Sequence, residues 1–169
     1  AANSNSFALR INSNGFLMEG DGKESEIKED NGYPYKALLG IQANSGNIKD
    51  ITVRNLGFDG NRANQSGAWY GACIITVSVS ATNSPANITL DGLYCHDAYT
   101  DNIDNTGEAS GINIAGDDNA YNMTEYYPHN IIVTRCFAWN NKGWGIGSNF
   151  ANSILVANNV CWNNDTQGI

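Results

Sequence analysis

Residues 139–169 read WNNKGWGIGSNFANSILVANNVCWNNDTQGI, and within that stretch a Trp-Asn-Asn triplet followed by Gly-Ile occurs twice. The first copy is Trp139-Asn140-Asn141 with Gly145-Ile146. The second is Trp162-Asn163-Asn164 with Gly168-Ile169, and both elements are displaced by the same 23 residues. Two elements sharing one offset mark a structural repeat, and a period in the twenties is that of a solenoid.

An apolar-x-apolar pair precedes each copy at a fixed distance: Ile131-Ile132-Val133 and Ile154-Leu155-Val156. Residues 51–61 (ITVRNLGFDGN) and 88–97 (ITLDGLYCHD) fit the same frame. Positions one and three are apolar in every copy. Positions six and eight are apolar or small (Leu56 and Phe58, Leu93 and Cys95, Cys136 and Ala138), and only Asn159, ahead of Cys161, departs. Side chains of a strand alternate faces, so positions one and three can face inward together, whereas six and eight have the opposite parity. The chain must bend between them. The fifth position holds Asn55, Gly92, Arg135 and Asn158, and Asn and Gly best tolerate the left-handed backbone of a sharp bend. Each repeat therefore reads as strand, bend, strand, variable turn and a third strand carrying Gly-Ile, which is one coil of a parallel β-helix with coils stacked at roughly 4.8 Å.

Successive copies begin 37, 43 and 23 residues apart. The extra residues fall at about 61–70, 98–108 and 119–129, the loops expected to carry function. Gly111-Ile112-Asn113-Ile114 aligns with Gly145-Ile146 as third strand. In the earlier stretch 73–80, Cys73, Ile75, Val77 and Val79 are expected to face inward, with Ile74, Thr76, Ser78 and Ser80 outward. Phe7–Ile11 and Gly15–Gly22 look like the opening coil. The four cysteines, Cys73, Cys95, Cys136 and Cys161, take inward positions, where a reduced thiol acts as a small apolar group. Cys95 and Cys161 sit two coils, or roughly 9.6 Å, apart, too far for a disulfide. There is no C-x-x-C pair to suggest a zinc cluster.

The 169 residues suit one domain over 1–169, and 41% hydrophobic content can fill a core. No apolar run is long enough to cross a membrane as a helix, so membrane insertion is not expected. A net charge of −8 repels phosphate backbones and argues against nucleic acid as partner. Charged residues are only 15%, while Asn, Ser, Thr and Gly abound, a balance that suits an extracellular protein, secreted or surface-attached.

The Asn-Ile-x-Val/Leu strands (Asn87-Ile88-Thr89-Leu90, Asn130-Ile131-Ile132-Val133), the bend asparagines Asn55 and Asn158, and Gly20-Asp21-Gly22 after a strand resemble the right-handed parallel β-helix, or pectate-lyase-like, superfamily. The stretch NIKDITVRNLGFDGNRANQSG is also typical of it. The resemblance covers nearly the whole chain and implies an all-β, right-handed, single-stranded parallel β-helix of about five to six coils. It implies no single activity, because the superfamily contains polysaccharide lyases, epimerases and hydrolases beside tailspikes and adhesins.

In the enzymes of that superfamily, the third-strand sheet and its loops form a polysaccharide groove. Gly116-Asp117-Asp118, after Gly111-Ile112-Asn113-Ile114, resembles the paired aspartates of calcium-dependent pectate lyases and the Gly-Asp-Asp of polygalacturonases. Asp117 and Asp118 are thus the expected catalytic pair, unless Asp117-Asp118-Asn119 simply opens a turn, where Asp and Asn are favoured. They are also the expected ligands of a Ca²⁺ cofactor that bridges to a uronate, or one of them is a general acid whose pKa the other raises. The matching stretch one coil on, Gly145–Asn149, adds no carboxylate, and the family's arginine base has no counterpart. Lys142 and Trp144 flank this groove. Lys142 is assigned to catalysis, and Trp144, Asn149 and Asp97 to substrate binding. Trp144 points outward if Ile146 does and inward if Ile146 does.

The loop from His96 to Glu108 carries Asp97, Asp101, Asp104 and Glu108 and is either a cation loop or a solvated acidic one. His96 takes an outward position, and His129 precedes a strand. Trp139 and Trp162, equivalent one coil apart, are expected to stack. Arg135 is expected either to pair with Asp91 of the preceding coil or to be merely tolerated. Sequons begin at Asn64, Asn87, Asn122 and Asn164. The chain stops at Gly168-Ile169 within a third strand, so the expectation is either a fragment of a longer helix or a homo-oligomer or filament paired through its end coil. Two functions follow: processing or binding of a polysaccharide, or a non-catalytic extracellular fibre, adhesin or tailspike-type module.

Overall fold

A computed structural model gives the architecture, and it describes residues 7–32, 35–43, 46–67, 71–78, 83–101, 109–116 and 127–169. The strands in chain order are β1 (Phe7–Ile11), β2 (Leu17–Glu19), β3 (Glu26–Lys28), β4 (Ala37–Ala43), β5 (Ile48–Arg54), β6 (Gly57–Asp59), β7 (Ala72–Ser78), β8 (Pro85–Asp91), β9 (Tyr94–His96), β10 (Ile112–Ala115), β11 (His129–Thr134), β12 (Phe137–Trp139), β13 (Ile146–Asn149), β14 (Asn152–Ala157) and β15 (Val160–Trp162). Every third strand joins the same sheet. The first sheet is β2-β5-β8-β11-β14, the second β3-β6-β9-β12-β15 and the third β1-β4-β7-β10-β13, and all pairings are parallel. This is a parallel β-helix of about five coils.

The register follows the repeat. Ile51, Ile88, Ile131 and Ile154 align in the first sheet, and Val53, Leu90, Val133 and Val156 align beside them. The second sheet contributes Ile27, Phe58, Cys95, Ala138 and Cys161 to the interior. Leu39, Ile74, Ile112 and Ile146 close the third side. Each fully buried aliphatic side chain among these contributes roughly 1.5–3 kcal/mol relative to exposure.

The bend lies where the fifth position predicts it. Asn55, Gly92, Arg135 and Asn158 have φ of 54°, 61°, 54° and 59°. Arg135 stays there while its Nε donates to Asp91 Oδ1 at 2.8 Å, and Arg54 is paired with Glu19 in the same way. Asn159, the residue that broke the apolar pattern, turns its amide inward. Its Oδ1 accepts from the Cys136 N–H at 2.8 Å and its Nδ2 donates to the Val133 carbonyl at 2.9 Å. A second left-handed column lies within the strands of the first sheet, one residue ahead of the repeat's first apolar position, at Asp50, Asn87, Asn130 and Ser153, with φ of 60°, 52°, 54° and 53°. There Asn87 donates to Asp50 at 2.9 Å, and Asn130 donates to Asn87 at 3.3 Å.

The Trp-Asn-Asn and Gly-Ile elements now have separate physical reasons. Trp139 and Trp162 stack on the outer face with ring centroids 4.9 Å apart and planes 5° from parallel. The first asparagine, Asn140 or Asn163, takes the left-handed turn, at φ 57° and 53°. The second folds inward and satisfies the turn. Asn141 is fully buried, accepts from the Ala98 N–H at 3.1 Å and donates to Asn164 Oδ1 at 2.9 Å. The glycine leaves room for that amide, because a Cβ on Gly145 would lie 2.8 Å from Asn164 Nδ2 and 2.9 Å from Cys161 Sγ.

Two expectations need correction. Ile74, assigned to the solvated face, is fully buried in register with Leu39 and Ile112, next to the equally buried Cys73, so the alternation expected at the start of β7 does not hold. Trp144 does not follow Ile146. Ile146 is buried in the core, whereas the Trp144 ring occupies the space a side chain on Gly147 would fill, on the opposite face of the strand. Residues 144 and 145 precede β13, so strand parity does not reach them.

The cysteines are free, with Cys73, Cys95 and Cys136 buried and Cys161 partly so. Burial pushes the Cys73 and Cys95 thiols well up, and pushes Cys136 up to about 11.

Candidate functional site

The ninth position of the repeat points outward from the second sheet, and stacking the coils aligns Lys28, Asp59, His96, Trp139 and Trp162 in one column along the axis. His96 stacks on Trp139 at 4.2 Å between centroids, and Trp139 on Trp162. The neighbouring outward column holds Glu26, Gly57, Tyr94 and Phe137, the last two stacked at 5.1 Å. Gly57 leaves a gap in that column. A Cβ there would lie 3.1 Å from Glu26 Cβ and Cγ, and Glu26 uses the space to place Oε1 3.0 Å from His96 Nε2.

On the other side of the imidazole, Nδ1 lies 2.7 Å from Asp97 Oδ2 and 3.8 Å from Asp59 Oδ1. Asp59 is nearly buried, pairs with Lys28, and accepts from the Asn61 N–H at 2.7 Å. Its hydrogen bond and charge raise the Lys28 ammonium above the usual lysine range. Asp97 takes the left-handed turn position, φ 57°, and begins a polar ladder in which Asn140 donates to Asp97 and Asn163 to Asn140.

At the Lys28 end of the column, Lys28, Glu29, Asp30, Asn31 and Asn61 line an open cleft of about 430 Å³. Glu29 is only 5% exposed and accepts from the Tyr35 N–H at 2.7 Å. Burial pushes its carboxyl up to about 7, with the Asp59 charge acting the same way and the Tyr35 hydrogen bond opposing. Gln65 donates to the Asp30 carbonyl at 2.7 Å, while its buried Oε1 has no hydrogen-bond partner among the described residues. A carboxyl that is half-protonated at neutral pH, in a concave polar site, can deliver a proton to a bound leaving group.

The residues singled out from the sequence fall into three places. Asp117 and Asp118, and the Ca²⁺ they are expected to hold, lie outside the described residues. The structure places Gly116 before them, its N–H donating to the Asn149 carbonyl at 2.9 Å. Trp144 and Asn149 both line a cavity of about 400 Å³, together with Ile114 and Ile146 of the third sheet, Val156 of the first, and Ile169. Asp97 and Lys142 come close together in the turn after the second sheet, since the Lys142 N–H donates to the Ala98 carbonyl at 2.9 Å. The Lys142 ammonium lies 3.4 Å from Asp165. Burial pushes the Asp165 carboxyl up, but Arg62, at 2.7 Å, and Lys142 hold it below the ordinary aspartate value. Asp104 and Glu108 also lie outside the described residues. His129 directs Nδ1 to the Tyr127 carbonyl at 2.9 Å.

Glu26, Glu29 and Asp59 were not singled out from the sequence. A signal existed for Asp59, since the ninth position read down the repeat gives Asp59, His96, Trp139 and Trp162. Comparison with known protein families, curated proteins and solved structures returns no match to this chain.

Proposed function

We propose that the protein is an extracellular member of the pectate-lyase-like superfamily that binds a polysaccharide along the coil axis and cleaves it by acid–base chemistry. The observation that carries this reading is the Glu29 cleft lying at one end of the outward column on the second sheet. The column spans four coil spacings, about 19 Å, and offers carboxylate, imidazole and indole groups at regular intervals. A ligand suited to it is long, extended, periodic and rich in hydroxyl groups. Asp97, the first rung of the Asp97-Asn140-Asn163 ladder, is a substrate contact in this reading.

Glu29 supplies the proton to the leaving glycosidic oxygen, for which a value near neutrality is suited. The net charge of −8 favours a neutral polymer, or an acidic one bridged by Ca²⁺ at Asp117 and Asp118. The test is release of reducing ends and of unsaturated ends absorbing near about 235 nm from a panel of neutral and acidic polysaccharides, with and without Ca²⁺. Glu29→Gln keeps the acceptor for the Tyr35 N–H and is expected to lower turnover by about 10²–10⁴-fold while binding persists. Turnover unchanged in Glu29→Gln removes Glu29 from the reaction, and silence on every polymer removes the enzymatic reading.

A further inference from the structure

We propose that Asp59, His96 and Asp97 form a site for one divalent transition-metal ion of the zinc class. The site shares Asp59 and His96 with the outward column and Asp97 with the polar ladder of the polysaccharide reading, but its test uses metal ions alone and so succeeds or fails independently of that reading.

Asp59 and His96 are brought side by side by the β6–β9 register, and Asp97 adjoins them in the turn. One ligand atom from each of the three residues lies within 4.8 Å of those of the other two. Tetrahedral zinc, bonded at about 2.0–2.2 Å, separates its ligand atoms by roughly 3.3–3.5 Å. That separation falls between the 2.7 Å from His96 Nδ1 to Asp97 and the 3.8 Å from the same nitrogen to Asp59.

The second argument comes from the far side of the ring. Glu26 Oε1 lies 3.0 Å from Nε2 and Asp97 Oδ2 2.7 Å from Nδ1, and a carboxylate only accepts. A neutral ring carries one hydrogen, so one of these two contacts sets a nitrogen lone pair against an acceptor. Something positive belongs between them: a metal ion or a second ring proton. Among the described residues the charged groups facing the ring are Glu26, Asp59 and Asp97, with Lys28 paired to Asp59, a surplus of negative charge suited to a cation. One imidazole and two carboxylates select zinc or cobalt over calcium, which takes six to eight oxygens. Glu26 has the place of the carboxylate that orients a metal-bound histidine through its other nitrogen. Three protein ligands leave a fourth position open.

The stacked indole of Trp139 provides the readout. The intact chain, stripped with chelator, is titrated at about pH 7.5 with Zn²⁺ and with Co²⁺, and with Ca²⁺ for comparison, by calorimetry, visible absorption and tryptophan emission. The expected result is one Zn²⁺ or Co²⁺ per chain, with the visible band of four-coordinate Co²⁺, quenched emission, and far weaker Ca²⁺ binding. His96→Gln abolishes binding, and Glu26→Gln weakens it by about 10–100-fold as a positioning residue. Asp97→Asn, which keeps the left-handed turn and an oxygen for Asn140, weakens it at least about tenfold and decides the matter if His96→Gln does not fold. Absence of Zn²⁺ and Co²⁺ binding, or binding unchanged in Asp97→Asn, overturns the site.

Discussion

The side-chain amide of Asn141 donates to Oδ1 of Asn164, its equivalent one coil on, at 2.9 Å. Each of these asparagines also serves the backbone of the coil before it. Asn141 holds the Ala98 N–H, and Asn164 reaches the Ala138 carbonyl at 3.1 Å. An inward amide at this position is how the turn after the second sheet is closed without leaving buried backbone groups unpaired. Asn141→Ala is therefore expected to cost about 2–4 kcal/mol by denaturant unfolding, and Asn164→Ala, half-buried, about 1–2 kcal/mol. Equal, small losses at both sites would contradict the inward-cap account.

The glycine of the repeat separates two environments. Alanine at Gly145 would meet the Gly168 carbonyl at 2.6 Å and Asn164 Nδ2 at 2.8 Å, whereas at Gly168 the nearest atom, Cys161 Cβ, is 3.4 Å away. Gly145→Ala should destabilise by about 1–3 kcal/mol and Gly168→Ala by less than about 1 kcal/mol, measured as the shift in unfolding midpoint.

The thiols report on the core directly. In native protein without denaturant, Cys161 should react with a thiol reagent, while Cys73, Cys95 and Cys136 stay protected until the chain unfolds, when four thiols are titrated. Rapid labelling of Cys95 in the folded state would show that the interior is not closed as described.

Much of this was legible in the sequence because a β-helix writes its geometry into a short period. The bend at Asn55, Gly92, Arg135 and Asn158, the Trp139–Trp162 stack and the reduced cysteines all follow from one aligned frame, and of the two readings it left for Arg135 the structure shows the pair with Asp91. What failed did so where the frame carries no periodic signal. In β4 every residue is buried, including Leu38 and Gln42, so no alternation marks it as a strand. In β7 the hydroxyl residues suggested a solvated face, yet Ile74 is in the core. The cluster around His96 was hidden for another reason. Its members Glu26, Asp59 and Asp97 come from three different coils, and Glu26 reaches the ring only because Gly57 has no side chain.

Glu29 gives a pH signature. Its folded value, about 7, lies above the ordinary 4.5, so the folded chain holds this proton more tightly than the unfolded one. Its contribution is full below the unfolded value and is lost as pH rises from there through about 7. The loss should be on the order of 3 kcal/mol and should vanish in Glu29→Gln, which becomes the more stable protein in alkaline solution. Parallel stability–pH curves for the two proteins would contradict this. Activity that depends on the protonated carboxyl should fall over the same range.

The central claim, that the outward column on the second sheet holds an extended polysaccharide, is tested most directly by binding of an oligosaccharide length series, followed by calorimetry and tryptophan emission. The account predicts affinity that rises with chain length until the column is filled, emission that changes on binding, and loss of at least about tenfold in Trp162→Ala, whose indole is 45% exposed. No binding at any length, or binding indifferent to Trp162, would contradict it.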